Sequence, residues 1–345
     1  MSTSESVDCC FQSSPPFSVI TPGNVVQYDY SSGVLVFEKS WDSSHLYASS
    51  VMPIGSSLII CGHGNSSSVV ASATDGVAVR FDSNKVPEWN AGSTKYGSYY
   101  SGAGGTFWGA IDASGTSWLY AGTSAGSLSD IKISASGTQS AGVSGAKGRI
   151  WPSRFDTTFA SADDSANLYL RNSFGGVVWS KTLSGNIVDA AVTPSGRIWI
   201  QRFQQSLTLT HYLELHDASS RPVQVTLVSG ATSGRYNRSL CSFSDEACAL
   251  SWFGVVNGWV RRYPATGTTP TWDRSTGTYN GMCVDETDKL FTSASINSAN
   301  PSYLNSATGA PISVIGGPYK RAFDKSVNCY AAGGKLWVCG KRLAF

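Results

Sequence analysis

The chain has 345 residues, of which 41% are apolar and only 14% charged, with 36 glycines and a formal net charge of +2. That is apolar material enough for a substantial core, but too little charge for a nucleic-acid footprint and too many turn formers for a helical protein. No stretch approaches the roughly 18 consecutive apolar residues of a membrane-spanning helix, so membrane insertion is not expected.

The first 23 residues, MSTSESVDCCFQSSPPFSVITPG, show no basic segment followed by an apolar one. The chain therefore reads as made in the cytoplasm without a signal peptide. Pro15 and Pro16 keep this tail extended, and it is expected to be flexible or anchored to a partner subunit.

From residue 24 onward one turn recurs seven times. It appears as DYSSG at Asp29, DSNKV at Asp82, ISASG at Ile133, NSFGG at Asn172, DASSR at Asp217, YPATG at Tyr263 and NSATG at Asn305. Strand-like runs flank each copy, such as NLYLR before Asn172 and VVW after it. An Asp or Asn at the first position bonds its own backbone downstream, and Gly supplies a positive φ, so each copy reads as a hairpin. A second series alternates with the first: MPIGSS at Met52, IDASGT at Ile111, FDTTF at Phe155, TPSGR at Thr193, SDEAC at Ser244, VDETDK at Val284 and FDKS at Phe323. Two hairpins per unit mean four strands, and the unit length matches the about 40–45 residues of a four-stranded propeller blade.

A third series runs from a Gly into a strand: GTFWGAID at Gly105, GRIWPSRFD at Gly148, GNIVDAAVT at Gly185, GRYNRSLCS at Gly234, GTYNGMCVD at Gly277 and GPYKRAFD at Gly317. This strand reads as the innermost, strand A, with the following Asp opening the A–B turn. The N-terminal VVQYDYSSGVLVFEKSW and the C-terminal GPYKRAFDKSVNCYAAGGKLWVCGKRLAF are each part of a blade. Together they complete one sheet and remove open edges. The division is two strands from each end if KLWVCGK is strand B, or three and one if it is strand C. The expectation is an all-β chain, a single seven-bladed β-propeller over residues 24–345 with four antiparallel strands per blade.

Several blade endings keep parts of one pattern, an acidic residue, Thr-Gly, then Trp: Asp82 and Trp89, Gly176 and Trp179, and Thr266, Gly267 and Trp272. In this the chain resembles the seven-bladed propellers of the WD40 and quinoprotein-like superfamilies, over almost everything after residue 24. The Gly-His and Trp-Asp pairs of WD40 repeats are missing as a set. The resemblance implies the architecture, and fold likeness does not carry function.

Eight cysteines contain no CxxC pair. Cys241 with Cys248, and Cys329 with Cys339, flank hairpin turns, which leaves cross-strand disulfides or free buried thiols open. No Cys/His cluster has ligand spacing, so no metal is expected. His211 and His216 are five apart and face opposite ways on a strand.

In a propeller the D–A and B–C loops share one face, and here their residues are aromatic and cationic. Candidate binding residues are Tyr99, Tyr100, Trp108, Arg149, Trp151, Arg154, Arg235, Arg238, Lys320 and Arg321, with His63 from a B–C loop; Tyr and Arg are favoured at binding hot spots. Phe107, Ile150, Ile187, Tyr236, Tyr279 and Tyr319 share one repeat position and read as packing between blades. The turn aspartates Asp112, Asp156, Asp285 and Asp324 read as turn caps, and Asp163–Asp164 is an adjacent acidic pair outside that series. No Ser-His-Asp set, P-loop or dinucleotide fingerprint is present, and no carboxylate pair spans a pocket. The expected function is non-catalytic and without cofactor: a structural or adhesive component of a bacteriophage particle, at a tail, fibre or head surface. Its partners would be other virion proteins, through the N-terminal tail, and a host-surface glycan or protein. The alternatives are a lectin-like carbohydrate-binding propeller and a sialidase-like glycoside hydrolase, the latter on the single loose Asp-box DASGTSW at Asp112.

Overall fold

The computed structural model describes residues 23–29, 34–40, 47–54, 57–64, 75–81, 87–91, 107–111, 117–122, 128–133, 139–141, 150–163, 167–172, 174–205, 209–231, 238–253, 258–274, 282–292, 302–314, 328–332 and 335–341, with side-chain detail confined to residues 151–312. Every regular element among them is a β-strand, and the strands pair into four-stranded antiparallel sheets.

Strands β1 (Gly23–Asp29) and β2 (Val34–Ser40) come from the start of the chain. The next sheet contains β3 (Tyr47–Ile54), β4 (Ser57–Gly64), β5 (Asp75–Phe81) and β6 (Pro87–Ala91). It is followed by a sheet of β7 (Phe107–Ile111), β8 (Ser117–Gly122), β9 (Leu128–Ile133) and β10 (Gln139–Ala141). Then come β11 (Ile150–Pro152), β12 (Phe159–Ala162), β13 (Asn167–Arg171) and β14 (Val177–Thr182). The fourth set in chain order is β15 (Asn186–Val192), β16 (Ile198–Gln205), β17 (Leu209–His216) and β18 (Val223–Ala231). It precedes β19 (Arg238–Ser242), β20 (Cys248–Phe253), β21 (Gly258–Tyr263) and β22 (Trp272–Arg274). Last are β23 (Met282–Val284), β24 (Leu290–Thr292), β25 (Ser302–Leu304) and β26 (Pro311–Val314). Each of these sheets is a simple up-and-down meander in chain order.

The chain's end supplies β27 (Asn328–Ala332) and β28 (Lys335–Lys341), which join β1 and β2 in the order β2-β1-β28-β27. β1 pairs with β28 antiparallel along its whole length, from Gly23 opposite Lys341 to Asp29 opposite Lys335. KLWVCGK is therefore the second strand, and the sheet takes two strands from each end. This corrects the reading of GPYKRAFD as its innermost strand and FDKS as its first turn. β27 holds the inner place, beside β23 and β3, and those two segments lie outside the described residues. The seven-residue ladder between β1 and β28 decides the matter, because it puts β28 one place in from β1 and leaves only the innermost place for β27.

The core is a series of seams between consecutive sheets. One cluster joins Leu168 and Leu170 of β13 to Ile198 and Ile200 of β16. The next joins Trp199, Leu213 and Leu215 to Leu240 and Leu250. A third joins Ala249 and Val260 to Leu290 and Leu304. A sheet with neighbours on both faces needs apolar side chains on both, which is why Ile198, Trp199 and Ile200 are consecutive and all fully buried. The outermost strand β14 is instead mostly exposed. Ile187, at the repeat position assigned to packing, does pack against the first of these seams.

The turn series match their chemistry. Asn172 Oδ1 accepts from the N–H groups of Phe174 and Gly176, and Asn305 Oδ1 from those of Ala307 and Thr308. Asp156 and Asp285 cap their A–B turns through Thr158 and Thr287; Asp112 and Asp324 lie outside the described residues. Gly185, which opens β15, has a φ of +84°, and a Cβ there would meet the Phe203 carbonyl oxygen at 2.2 Å. Cys241 pairs with Ala249 and Cys248 with Ser242, so the two thiols enter different seams. Both are buried and neither is in a disulfide, and burial pushes the Cys248 thiol well up.

Gly309 is held left-handed at a φ of +68°, and a Cβ there would lie 2.6 Å from the Trp272 ring. Gly309→Ala is expected to lose about 1–2 kcal/mol from backbone strain alone, with the ring clash adding to it. Gly267→Ala has no such backbone demand, and its Cβ would sit in ordinary contact, 3.4 Å from Pro264. It should stay within about 0.5 kcal/mol of the parent. Urea unfolding of the two variants side by side measures the difference.

Candidate functional site

The candidate face falls partly beyond view. Tyr99, Tyr100, Arg149, Arg235, Lys320 and Arg321 lie outside the described residues. Three others are placed by backbone only: His63 on β4 opposite Tyr47, Trp108 on β7 opposite Tyr120, and Arg238 at the start of β19 opposite Trp252.

Trp151 and Arg154 are described in full, and both are engaged inside the protein. Trp151 is buried on β11, and its indole N–H donates to Asp189 Oδ1 at 2.7 Å. The other oxygen of Asp189 accepts the Leu240 N–H at 2.7 Å. One carboxylate on β15 thus ties the innermost strands of three consecutive sheets. Arg154 stands in the β11–β12 turn, at the A–B end of its sheet. Its guanidinium donates to the carbonyls of Ser242 (3.0 Å) and Asp285 (2.6 Å) and pairs with the Asp288 carboxylate. It links its own turn to the ends of β19 and β23, in the second and third sheets further along the chain, and so fastens A–B turns to one another.

Those turns also join directly. Glu246 accepts from the Ser195 N–H (2.8 Å), the Ser195 hydroxyl (2.9 Å) and Arg197 (2.9 Å) of the preceding sheet's turn. Asp288 accepts from the Ser244 N–H at 3.1 Å and from its hydroxyl. Asp163, the described half of the adjacent acidic pair, accepts from the Asn167 N–H and the Tyr169 hydroxyl and so closes its own loop.

An ionic cluster absent from the candidate set lies on β16 and β17. Glu214 is completely buried, and Arg202 grips it with two bonds of 2.7 and 2.8 Å. His216 Nε2 lies 2.9 Å from Oε2, while Gln224 (2.9 Å) and Arg221 (3.1 Å) donate to Oε1. Burial alone would raise the Glu214 pKa, but hydrogen bonds from His216 and Arg202, and their charges, hold it down to about 2. Arg202 also donates to the Ser184 carbonyl at 2.8 Å, which secures the link into β15.

On the other face of the same sheet a row of rings crosses the next seam. Phe203 meets His211 at 5.8 Å, His211 meets the Trp252 ring edge-on at 5.1 Å, and Trp252 stacks on Trp259 at 5.7 Å. The Arg261 guanidinium lies 4.1 Å over the Trp259 ring. Trp259 therefore has neighbours on its ring rather than an open platform, and the row acts as packing. Among the described residues four large apolar side chains are exposed: Phe174 (78%), Val177 (51%) and Val178 (55%) sit together at the start of β14 and the turn before it, and Ile312 (52%) stands apart on β26. Among the described residues no group of three or more His, Cys, Asp or Glu is placed to hold a metal ion.

The fold is β-propeller-like. Among solved structures the chain is similar to one described as KlHsv2 with loop 6CD replaced by a Gly-Ser linker, at 7% identity and a TM-score of 0.51 over 79% of this chain and 83% of that one. No protein-family model and no curated protein matches the chain. Likeness at that identity shows the fold alone.

In a propeller-like arrangement the Glu214 cluster belongs to the seam with the preceding sheet, and its role there is structural. Replacing Glu214 by Ala leaves Arg202 and Arg221 facing each other over a buried hole, and should cost about 3–5 kcal/mol in equilibrium unfolding. The folded-state pKa of Glu214 is depressed below its ordinary 4.5. Its contribution is therefore complete above that value and is lost as pH falls toward about 2. Thermal melts of the parent between pH 6 and 2 should show this acid loss, and Glu214→Gln should flatten it.

Proposed function

We propose that the chain is a closed seven-bladed propeller working as a non-catalytic interaction module, a structural or adhesive component of a bacteriophage particle. Closure is supported by the β1–β28 ladder, which sews the two ends of the chain into one sheet. The observation that carries the interaction role is the contrast between frame and edge. The charged and polar side chains described in detail are largely taken up in ties between sheets and turns. Three of the four exposed large apolar side chains described, Phe174, Val177 and Val178, instead stand together in solvent at one sheet edge. Rigid frames with exposed apolar rims suit docking, because little order has to be gained on binding.

The low charge and the Gly-rich turns of the sequence suit a protein that works on the outside of a particle. The partners are other virion proteins, held through the apolar edge and the N-terminal tail, and a host-surface glycan or protein met by the D–A loops. Mass spectrometry of purified virions tests the reading: the protein should be a stoichiometric particle component. Recovery only as a free species or in a cytoplasmic complex would sink it.

The edge has its own test. Phe174→Asp and Val178→Lys lie on exposed surface and should leave stability within about 0.5 kcal/mol. Both should reduce incorporation into particles by tenfold or more, read by quantitative proteomics against parent protein. Full incorporation of both variants would remove the edge from the interface.

A further inference from the structure

Gln201 breaks the pattern of its strand. It follows Ile198, Trp199 and Ile200 on β16, at a depth where its neighbours are apolar, and it is fully buried. Neither its Oε1 nor its Nε2 has a hydrogen-bond partner among the described residues. The register places Asp189 opposite on β15 and Leu213 opposite on β17. Trp199 and Leu213, on the same side of the sheet, belong to the seam shared with β19–β22. Two residues further along β16, Phe203 begins the row of rings that runs through His211 to Trp252. The Gln201 amide is thus enclosed at a seam, with an apolar layer on one side and an aromatic layer on the other. Asp189, whose carboxylate ties Trp151 and the Leu240 backbone, lies across from it.

A buried amide without partners forfeits the hydrogen bonds it makes in water, so a side chain of this kind is retained where something supplies them. The amide needs both a donor and an acceptor. A cation would satisfy only the oxygen, and an anion only the nitrogen. Water offers both in the smallest volume, and polar seams hold such waters routinely while purely apolar cavities stay dry.

We propose that the seam between the β15–β18 and β19–β22 sheets is a hydration site built around Gln201. Internal water accepts from Nε2–H and, through the same or a neighbouring molecule, donates to Oε1. The water is a component of the frame, joining β16 to the facing sheet beneath the ring row. The site is independent of what the protein binds and of whether it enters a virus particle.

Two measurements test it. A crystal structure of the native chain should show an ordered solvent peak at about 2.7–3.2 Å from an amide atom of Gln201. A seam empty of density, or a protein group bonded to both amide atoms, overturns the proposal. The second measurement turns on sign. Gln201→Met keeps the length and removes both polar atoms. If the amide is hydrated, the substitution strands the water and the Tm falls by about 2–4 °C. If the seam is dry, the same change relieves two orphaned groups, and an unchanged or higher Tm overturns the proposal. Should Gln201→Met fail to accumulate as folded protein, the native crystal structure decides alone.

Discussion

A sheet with neighbours on both faces has no side to turn to water, and most of this structure follows from that. The central strands are largely apolar in both directions, so a polar group inside the stack is retained at little cost where its bonds are completed there. Asp189 is the clearest case. Its two oxygens take an indole N–H from the preceding sheet and a backbone N–H from the following one. A carboxylate used this way fixes the spacing of three inner strands at once, which greasy contact alone does not, because apolar surfaces slide with little penalty. The Arg202–Glu214 pair does a related task further out, binding β16 to β17 and, through Ser184, to the link from the sheet before.

The A–B turns repeat the device in miniature. Gly196, Glu246 and Asp288 hold one position in three successive turns, each with a left-handed φ of +75°, +69° and +63°. In each turn the N–H of this residue returns to the carbonyl three places earlier. A side chain in that conformation is strained, and Gly is the easy solution. Two of the three turns carry a carboxylate instead, and in both it reaches back to the turn before. Glu246 meets Ser195 and Arg197, and Asp288 meets Ser244 and Arg154. The strain of the left-handed residue is offset by charge-assisted bonds that only this conformation can aim. At Gly196 the carbonyl is used, accepting the Trp179 indole N–H from the preceding sheet's outer strand.

Much of the architecture was legible because it rests on local chemistry. Asn172, Asp217 and Asn305 each accept from their own downstream backbone, so a short polar residue before a Gly or Ser announces the turn whatever surrounds it. Four strands per sheet follow from two such turns per repeat. The inner strand of the terminal sheet was not legible, since NCYAA and KLWVCGK are alike in character and only pairing with β1 separates them. The buried ionic cluster was missed for a related reason. In LTHYLELH the leucines alternate with Tyr212, Glu214 and His216, which looks like a strand with one wet face. That face is covered by the preceding sheet, and alternation cannot reveal a cover. The sequence neighbours of Arg154 put it with the D–A loops, whereas its partners lie 88 and 131 residues away. Much of the candidate face itself, from Tyr99 and Tyr100 to Lys320 and Arg321, lies outside the described residues.

The same constraint says where variation can be tolerated. A new side chain in a seam must match two sheets, and a new residue in a locked A–B turn must match the turn beside it. The outermost strand has one free edge and answers only to its inner neighbour. On β14, Trp179 and Lys181 still turn toward the next sheet, through the carbonyls of Gly196 and Ser220. Val177 and Val178 have no such task, nor has Phe174 at the tip of the preceding turn, and all three side chains stand in solvent. Substitution at such positions should leave the frame undisturbed, because no bond described between two sheets passes through them.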